Sequence, residues 1–531
     1  MNGIFFQKNP NRYLLSLLSG VLFLLAWQPN LSPFILFIVF IPLLFIDTNK
    51  VKIGPYFWVC LLSFLTAVTG TCYWVLINGH WWYILGIVWQ ALLMTVPFLL
   101  YYKIRNKFPE PFALFFLVAA WISYEYISLN FNYNFPWLLL GNAFANSPKY
   151  IQWYEYTGVL GGSIWVFAIN VILYNFLKSP RKGKSVVCIL ALVAPIAISV
   201  TIYNTYAINK HRIEVVLVQP NFDPFTEKFP DGKNFIPYYK QIKTLITLAS
   251  SVTNASTEYV LFPETAIIQS VWNNKVSDML NNTDLEHFFK KYPHANLYTG
   301  IEIYESAKYN TSDLNIPTRY EGSIGYHELY NSSLLINPTK GFSFQPKCKL
   351  LPLSERLPWI HYRPINQLLT FLDIDKGLSE ANNTTYLEIE QKIKIAPIIC
   401  YESIFGNYVS GYVKKGANVI FILSNDGWWG ESIGYKQHFS YARLRAIENR
   451  RSVARCANNG LSAFIDERGE IIASTKGFTQ EAINNSISIN SKKTIYTLLG
   501  DYLGVMFTII SSAIITFYLF FNKLSTITKP N

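Results

Sequence analysis

Three residues set far apart in the chain have the types needed for acyl transfer through a thioester: Glu264, Lys347 and Cys400. Cys400 ends an apolar β-branched run, Ile393–Ile399, and is followed by Tyr401 and Glu402. A thiol is largely protonated at neutral pH, so a cysteine nucleophile needs a base or a lowered pKa. Glu264, after Tyr259-Val-Leu-Phe-Pro, offers the base. A tetrahedral intermediate carries an oxyanion that a fixed positive donor stabilises. Lys347, at the head of Lys347-Cys348-Lys349-Leu350-Leu351-Pro352, offers that donor. A strand-to-helix turn would also place Cys400 at the positive end of the following helix. Each residue has a plainer explanation. A cysteine after an apolar strand is more often core than nucleophile, a glutamate after Phe-Pro more often a cap, and a lysine before an apolar run more often solvated. Spacing alone does not decide between these readings.

The elements that must carry these residues lie between positions 208 and 498. Strand candidates are Glu214–Gln219, Tyr259–Phe262, Leu297–Ile303, Ser333–Ile336, Ile393–Ile399 and Val419–Leu423. Helix candidates are Tyr238–Val252, Ser403–Lys415 and Tyr435–Asn449. Such alternation argues an α/β sheet structure, in which chemistry collects at strand ends. Three strand ends stand out: those leading to Glu264, to Cys400, and to Ser424-Asn425-Asp426-Gly427-Trp428-Trp429-Gly430.

The rest of the chain reads as membrane. Hydrophobic residues make up 51% and charged residues 15%, against about 25% charged in soluble domains. Apolar stretches near 12–28, 32–47, 54–77, 82–102, 111–129, 157–178, 185–206 and 502–522 give about eight transmembrane candidates, the second of them short. The reading is therefore a membrane domain of about seven helices over 1–207, a soluble domain over 208–498, and a last helix with a short tail over 499–531. The first stretch has no small-x-small cleavage site after it and is read as a retained anchor. Lys8 and Arg12, Lys50 and Lys52, Lys103 to Lys107, Lys178 to Lys184, and Lys523 with Lys529 fall in alternate loops. By the positive-inside rule those loops are cytoplasmic, and an odd count of spans before residue 208 puts the soluble domain outside. The aromatic loop 128–156 reads as an interfacial belt or as part of a lipid-facing entrance.

The net charge of +12 comes from these loops and not from a basic stripe with interleaved aromatics, which argues against nucleic-acid binding. The six cysteines show no metal-ligand spacing, and no metal is expected.

The motif set resembles the carbon-nitrogen hydrolase (nitrilase) superfamily, and with the membrane helices the whole layout resembles its apolipoprotein N-acyltransferase branch. Val215–Asn221 resembles the first strand of the catalytic domain. Phe262-Pro263-Glu264-Thr265-Ala266 resembles the Pro-Glu-Thr/Ser-Ala segment. Lys347 to Glu355 resembles Lys-x-x-Leu-Val-Pro-Phe-Gly-Glu, and Ile399-Cys400-Tyr401-Glu402 the nucleophile motif. Ser424–Gly430, Gln437-His438-Phe439, Arg443 to Glu448, Arg455 and Asn458-Asn459-Gly460 complete the run. Phe135-Pro136-Trp137 with Gly141 resembles the membrane part. Two departures stand out. Leu353-Ser354 replaces Phe-Gly, and Phe229 stands where a tryptophan is expected.

The resemblance implies a multi-pass helical bundle plus a nitrilase αββα sandwich in the bacterial inner membrane, with the catalytic domain on the periplasmic side. It implies Glu264 as general base, Lys347 as oxyanion donor and Cys400 as nucleophile. Glu355, Tyr401 and Glu402 would support them, and Phe229, Asn425, Trp428 and Trp429 would contact substrate. The acyl donor would be a phospholipid, in the usual case phosphatidylethanolamine. The acceptor would be the N-terminal diacylglyceryl-cysteine of a lipoprotein, in the last step of lipoprotein maturation. No cofactor is required, and the chain is expected to work as a monomer.

Residues 357–374 add an amphipathic segment, with Ile365, Leu368, Leu369 and Leu372 on one helical face. With Trp359 and Tyr362 it reads either as an interfacial lid over the acyl chain or as a helix packed on the sandwich. If Lys347 points into the site from an extended segment, Cys348 points away, so Cys400 is expected to stay a free thiol. An amidase or thioesterase using water keeps the same trio. A transporter with an accessory domain would need polar residues inside the spans, where only His80, at a loop, and Glu125 stand out. An inactive scaffold would not need the intact trio.

Overall fold

The computed structural model describes residues 11–78, 83–131, 135–306, 319–321, 325–337, 339–356, 377–381, 384–388 and 393–527. Trp359, the amphipathic segment 357–374 and His80 lie outside them. The chain divides into two compact units: Met1–Thr205 with Asp501–Asn531, and Tyr206–Gly500.

In the first unit, six helices are long and apolar enough to cross a membrane: Ile53–Ile77, Tyr83–Arg105, Glu110–Asn130, Tyr154–Lys178, Lys182–Thr205 and Tyr502–Asn522. Of the about eight segments expected, six are full-length spans among the described residues. The first candidate is a helix of 15 residues, Arg12–Ala26. At 1.5 Å per residue that is about 22 Å, short of a ~30 Å hydrocarbon core. The second is a 3-10 helix, Pro33–Ile38, followed by four α-helical residues, Ile41–Leu44. Prolines 33 and 42 each sit at the start of one of these pieces, where a missing N–H is tolerated.

The loop near 135–150 is a run of 3-10 turns. Its Trp137, Leu140 and Phe144 are buried in the unit, so these side chains form core and not an interfacial belt. Glu125 ties that run to the bundle: its Oε1 accepts from the Trp121 indole and from the Leu140 N–H, each at 2.9 Å. Gly141 is required there, because a Cβ would come within 2.0 Å of the Val159 carbonyl oxygen.

The second unit contains two sheets. The strands of the first are β1 (Arg212–Gln219), β2 (Tyr259–Leu261), β3 (Ile267–Trp272), β4 (Asn296–Ser306), β5 (Arg319–Glu321), β6 (Gly325–Asn337) and β7 (Gly341–Pro346). The second sheet holds β8 (Ile395–Ile399), β9 (Val419–Ser424), β10 (Val453–Ala457), β11 (Ala463–Ile465) and β12 (Ile471–Ser474). The last strand, β13 (Glu481–Ser488), returns to pair antiparallel with β1. The orders are β13-β1-β2-β4-β6-β5, with β3 on β4 and β7 on β6, and β12-β11-β10-β9-β8.

Strand alternation explains the layering, because successive side chains face opposite sides. Val215 and Leu217 of β1 share one core with Phe421 and Leu423 of β9, between the sheets. Val216 and Val218 face outward onto the helix Tyr238–Val252. On the far side, Ile420 and Ile422 pack on the helices Gly406–Lys415 and Ile433–Asn449. The result is the expected α-β-β-α sandwich. The ring of Phe421 reaches across to Tyr259 and Tyr298, with centroids 5.5 and 5.4 Å away.

The strand that leads to Cys400 is an edge strand, β8. Pro397 lies in its middle, where a central strand would lose a ladder donor. At its first residue Ile395 exchanges backbone hydrogen bonds with Leu387, 2.8 and 3.0 Å long.

Candidate active site

Glu264 lies three residues beyond the end of β2 and is 5% exposed. Its Oε1 accepts from Lys347 Nζ at 3.2 Å and from Asn331 Nδ2, on β6, at 2.8 Å. The turn that carries it is strained: Thr265, β-branched, has φ +46°, a conformation unusual for such residues. A buried lysine holds this turn. Lys228 Nζ donates to the Glu264 carbonyl at 2.9 Å and to Thr265 Oγ1 at 2.8 Å. Burial lowers the Lys228 pKa to about 8 against the opposing pull of Glu264, Glu302 and Cys400.

Lys347 follows β7 directly, and its backbone N–H bonds the Asn331 carbonyl at 2.8 Å. The ammonium is 1% exposed. It sits between two carboxylates, 2.7 Å from Glu355 Oε1 and 3.2 Å from Glu264 Oε1. Burial alone would lower its pKa. Glu264 and Glu355 outweigh that, so the net shift is upward and the lysine stays charged.

Glu355 is fixed in turn, its Oε2 accepting from the Leu351 N–H at 2.8 Å. The turn in which Leu353-Ser354 replaces Phe-Gly is closed by Leu353 N–H to the Arg356 carbonyl, 2.9 Å, with Leu353 itself at φ +67°. The departure thus leaves Glu355 on Lys347. Cys348 turns its sulfur toward the Pro346 carbonyl and the Gln345 amide, each 3.6 Å away. All six cysteines are free thiols.

Cys400 opens a 3-10 turn, Cys400–Ile404, and has φ +49°. A cysteine at a positive φ is a strained residue that its surroundings must hold. Burial, then the Glu264 charge, push its thiol well above the ordinary range, while Lys347 works the other way. A thiol shifted upward is protonated at neutral pH, so a nucleophilic role for it requires a base. Glu402 joins the segment after Lys347 to the turn that carries Cys400. Its carboxylate accepts from the N–H groups of Ile399 (2.9 Å), Cys348 (2.6 Å) and Lys349 (3.2 Å) and from the Tyr408 hydroxyl (2.7 Å). Burial raises its pKa to about 7 despite these donors.

Among the aromatic candidates, Phe229 and Trp428 are half-buried and stacked, with centroids 5.8 Å apart, and Phe225 meets Trp428 edge-on at 5.2 Å. Tyr401, Asn425 and Trp429 are buried. Asn425 Oδ1 is occupied by Asn458 Nδ2 at 3.0 Å, and the Trp429 ring packs on His438 at 5.2 Å. Sequence reasoning missed Lys228, Asn331 and Phe225. Lys228 adjoins Phe229, and that adjacency was the one available signal; Asn331 lies inside a strand among other polar residues and gives none.

The buried Glu264 and Lys347 and the half-buried Cys400 lie at strand ends of an αββα sandwich, and the fold is that of the carbon-nitrogen hydrolases. The carbon-nitrogen hydrolase family model matches residues 233–491, and the model of the apolipoprotein N-acyltransferase N-terminal domain matches residues 19–172. The chain belongs to the apolipoprotein N-acyltransferase family, and it is a membrane-bound acyltransferase.

An apolipoprotein N-acyltransferase of Chlorobaculum tepidum is 29% identical over 513 residues, 92% of this chain and 93% of that one. Apolipoprotein N-acyltransferase 1 of Treponema denticola is 27% identical over 537 residues, 96% and 95% of the two chains. A solved carbon-nitrogen hydrolase superfamily protein from Xanthomonas campestris aligns at 16% identity with 52% of this chain and 91% of its own, with a TM-score of 0.33.

One position tests how tightly the Glu264 turn is built. A Cβ on Gly300, in β4, would lie 2.5 Å from the Thr265 nitrogen and 2.7 Å from Glu264 Cα, both backbone atoms. Gly300→Ala is expected to lower stability by about 2 kcal/mol, as overpacking does. On the expectation that Glu264 is the base, it should also slow acyl transfer at least about tenfold, because ångström-scale displacement of such a group is costly. Thermal unfolding and the acylation rate, measured on one preparation, check both.

Proposed function

We propose that the chain transfers a fatty acyl group from a phospholipid, in the first instance phosphatidylethanolamine, to the α-amine of the N-terminal diacylglyceryl-cysteine of a lipoprotein. The observation that carries this reading is the buried Lys347 ammonium, shared by Glu264 and Glu355 within electrostatic reach of Cys400.

The steps follow from these groups. Asn331 and Lys347 both bind Oε1 of Glu264, which leaves Oε2 for the base role. Glu264 takes the thiol proton as the sulfur attacks the sn-1 ester carbonyl, and Lys347 stabilises the oxyanion. The C–O bond breaks, the alkoxide takes the proton from Glu264, and a lysophospholipid leaves a thioester on Cys400. The acceptor amine then attacks the thioester, gives its proton to Glu264, and the departing thiolate recovers a proton from the same carboxyl. Phe229 and Trp428, with Phe225, supply an aromatic surface for the acyl chain or headgroup.

We place the enzyme in the bacterial cytoplasmic membrane, with residues 208–498 as the catalytic domain on the periplasmic side and a single chain as the working unit. Five of the six full spans precede residue 208. Five is odd, as seven is, so the two shorter helices taken together leave the parity and the sidedness unchanged.

The test is intact-protein mass spectrometry of the full chain in detergent with phosphatidylethanolamine, followed by addition of a diacylated lipopeptide. A hydroxylamine-labile adduct of one acyl chain should form and then pass to the lipopeptide as an amide. Loss of the adduct as free fatty acid at the same rate with and without lipopeptide would establish a hydrolase instead.

A further inference from the structure

We infer that His438 is a positioning residue for the nucleophile: its Nε2–H fixes the plane of the Cys400–Tyr401 peptide. The inference rests on the reading of Cys400 as the nucleophile. His438, on the helix Ile433–Asn449, is fully buried, and its Nε2 lies 3.0 Å from the Cys400 carbonyl oxygen. A carbonyl only accepts, so Nε2 carries the hydrogen. Ser403 Oγ donates to the same oxygen at 2.8 Å and lies 3.0 Å from Nε2. The Cys400 carbonyl thus receives two donors at the residue whose φ of +49° most needs holding.

The far side of the ring is held as firmly. Nδ1 lies 2.9 Å from Asp426 Oδ1. Arg455 Nη2 fixes that carboxylate through both oxygens, at 3.0 and 2.7 Å, and passes 3.2 Å from Nδ1. Ser424 Oγ adds a bond to Asp426 Oδ1 at 2.8 Å. Asp426 and Arg455 are buried, and Asp426 lies two residues beyond β9 while Cys400 directly follows β8. The relay therefore runs from one strand end to the next through the ring. Its target is a peptide unit, and the other half of that unit is the Tyr401 N–H. Fixing the plane sets the direction of that N–H and of the Cys400 side chain together. Two donors on a carbonyl also polarise the peptide and strengthen its N–H as a donor.

Two substitutions separate positioning from packing. In His438→Gln the amide nitrogen falls near the place of Nε2, so a donor to Cys400 persists. In His438→Asn it falls near Nδ1, and only the Asp426 side persists. On the full chain with phosphatidylethanolamine, the single-turnover rate of Cys400 acylation is expected to fall within about tenfold of wild type for Gln and by about 100-fold or more for Asn. Melting temperatures should be similar, and the phospholipid concentration dependence unchanged. Equal acylation rates for the two variants would overturn the inference. Ser403→Ala, a small deletion on the same carbonyl, is expected to slow acylation about fivefold; a wild-type rate there overturns it as well, whether or not the His438 variants fold. The parallel control is Cys400→Ala. If that variant still forms the adduct, the nucleophile assignment itself falls; if it does not, and Gln equals Asn, only the role of His438 falls.

Discussion

Cys400→Ala is expected to abolish the acyl adduct and to lower acyl transfer to lipopeptide by at least about 10⁴-fold, since the loss of a covalent nucleophile leaves only binding and oxyanion stabilisation. The fold should survive. Alanine at φ +49° carries the same backbone strain that cysteine already carries there. Ser403 and His438 bond the carbonyl of residue 400 and not its side chain, so they hold the variant's turn as before. The melting temperature should therefore stay near that of wild type, and the phospholipid should still bind. Cys400→Ser should be nearly as inactive, because an alkoxide is far harder to form than a thiolate and the site already disfavours the charged form even of the thiol. Mass spectra of wild type and both variants after phosphatidylethanolamine, with and without hydroxylamine, check this. A full acyl adduct on Cys400→Ala would move the nucleophile elsewhere.

Lys347→Met is expected to damage both activity and stability. Activity should fall about 10³-fold through loss of the oxyanion donor. Stability should fall by about 3 kcal/mol at pH 7, because removing one partner of a buried ion pair leaves the other uncompensated, and here two carboxylates are left. The pH dependence has a definite sign. In wild type the folded-state pKa of Lys347 is raised, so its contribution is complete through neutral pH and is lost only as pH rises past the ordinary lysine range and through the folded value. The variant has no such group, so the stability gap between wild type and Lys347→Met should hold steady through neutral pH and narrow only as pH rises past about 10. Thermal unfolding of both proteins from pH 7 upward measures it, and a gap that widens toward alkali would contradict the arrangement of the three charges.

Much of the positioning framework was legible in the residues themselves. The parallel strands β1, β2, β8 and β9 are near-continuous apolar runs because both of their faces are covered, and the helix Tyr238–Val252 was found to the residue. The strands β3, β5, β7, β11, β12 and β13 were not found. β12 is largely exposed, and β13 is polar and half-buried, so no apolar run marks them. β10 was hidden for another reason: its Arg455 is a charged residue fully buried because Asp426 awaits it. The Glu-Lys-Cys trio came from motif resemblance and not from spacing, since three strand ends must fold together before its members meet. Lys228 and Asn331 act on the trio through individual hydrogen bonds, and a sequence does not register such contacts. Of the about eight segments expected, six are full-length spans and two, Arg12–Ala26 and Pro33–Leu44, are apolar but shorter, because hydropathy does not measure helix length.

The edge position of β8 has a consequence for how these molecules coexist in a crowded membrane. An open strand edge invites a neighbour's strand through its unused N–H groups. On the outer side of β8 those groups would come from residues 395, 397 and 399, because 396 and 398 face β9 in the parallel register. The first is taken by the Leu387 carbonyl, the second does not exist because residue 397 is proline, and the third is taken by the Glu402 carboxylate. The strand that leads to Cys400 thus offers no N–H donor to a stranger, and two copies meeting in a crowded membrane lack on this edge the donor row that strand addition uses.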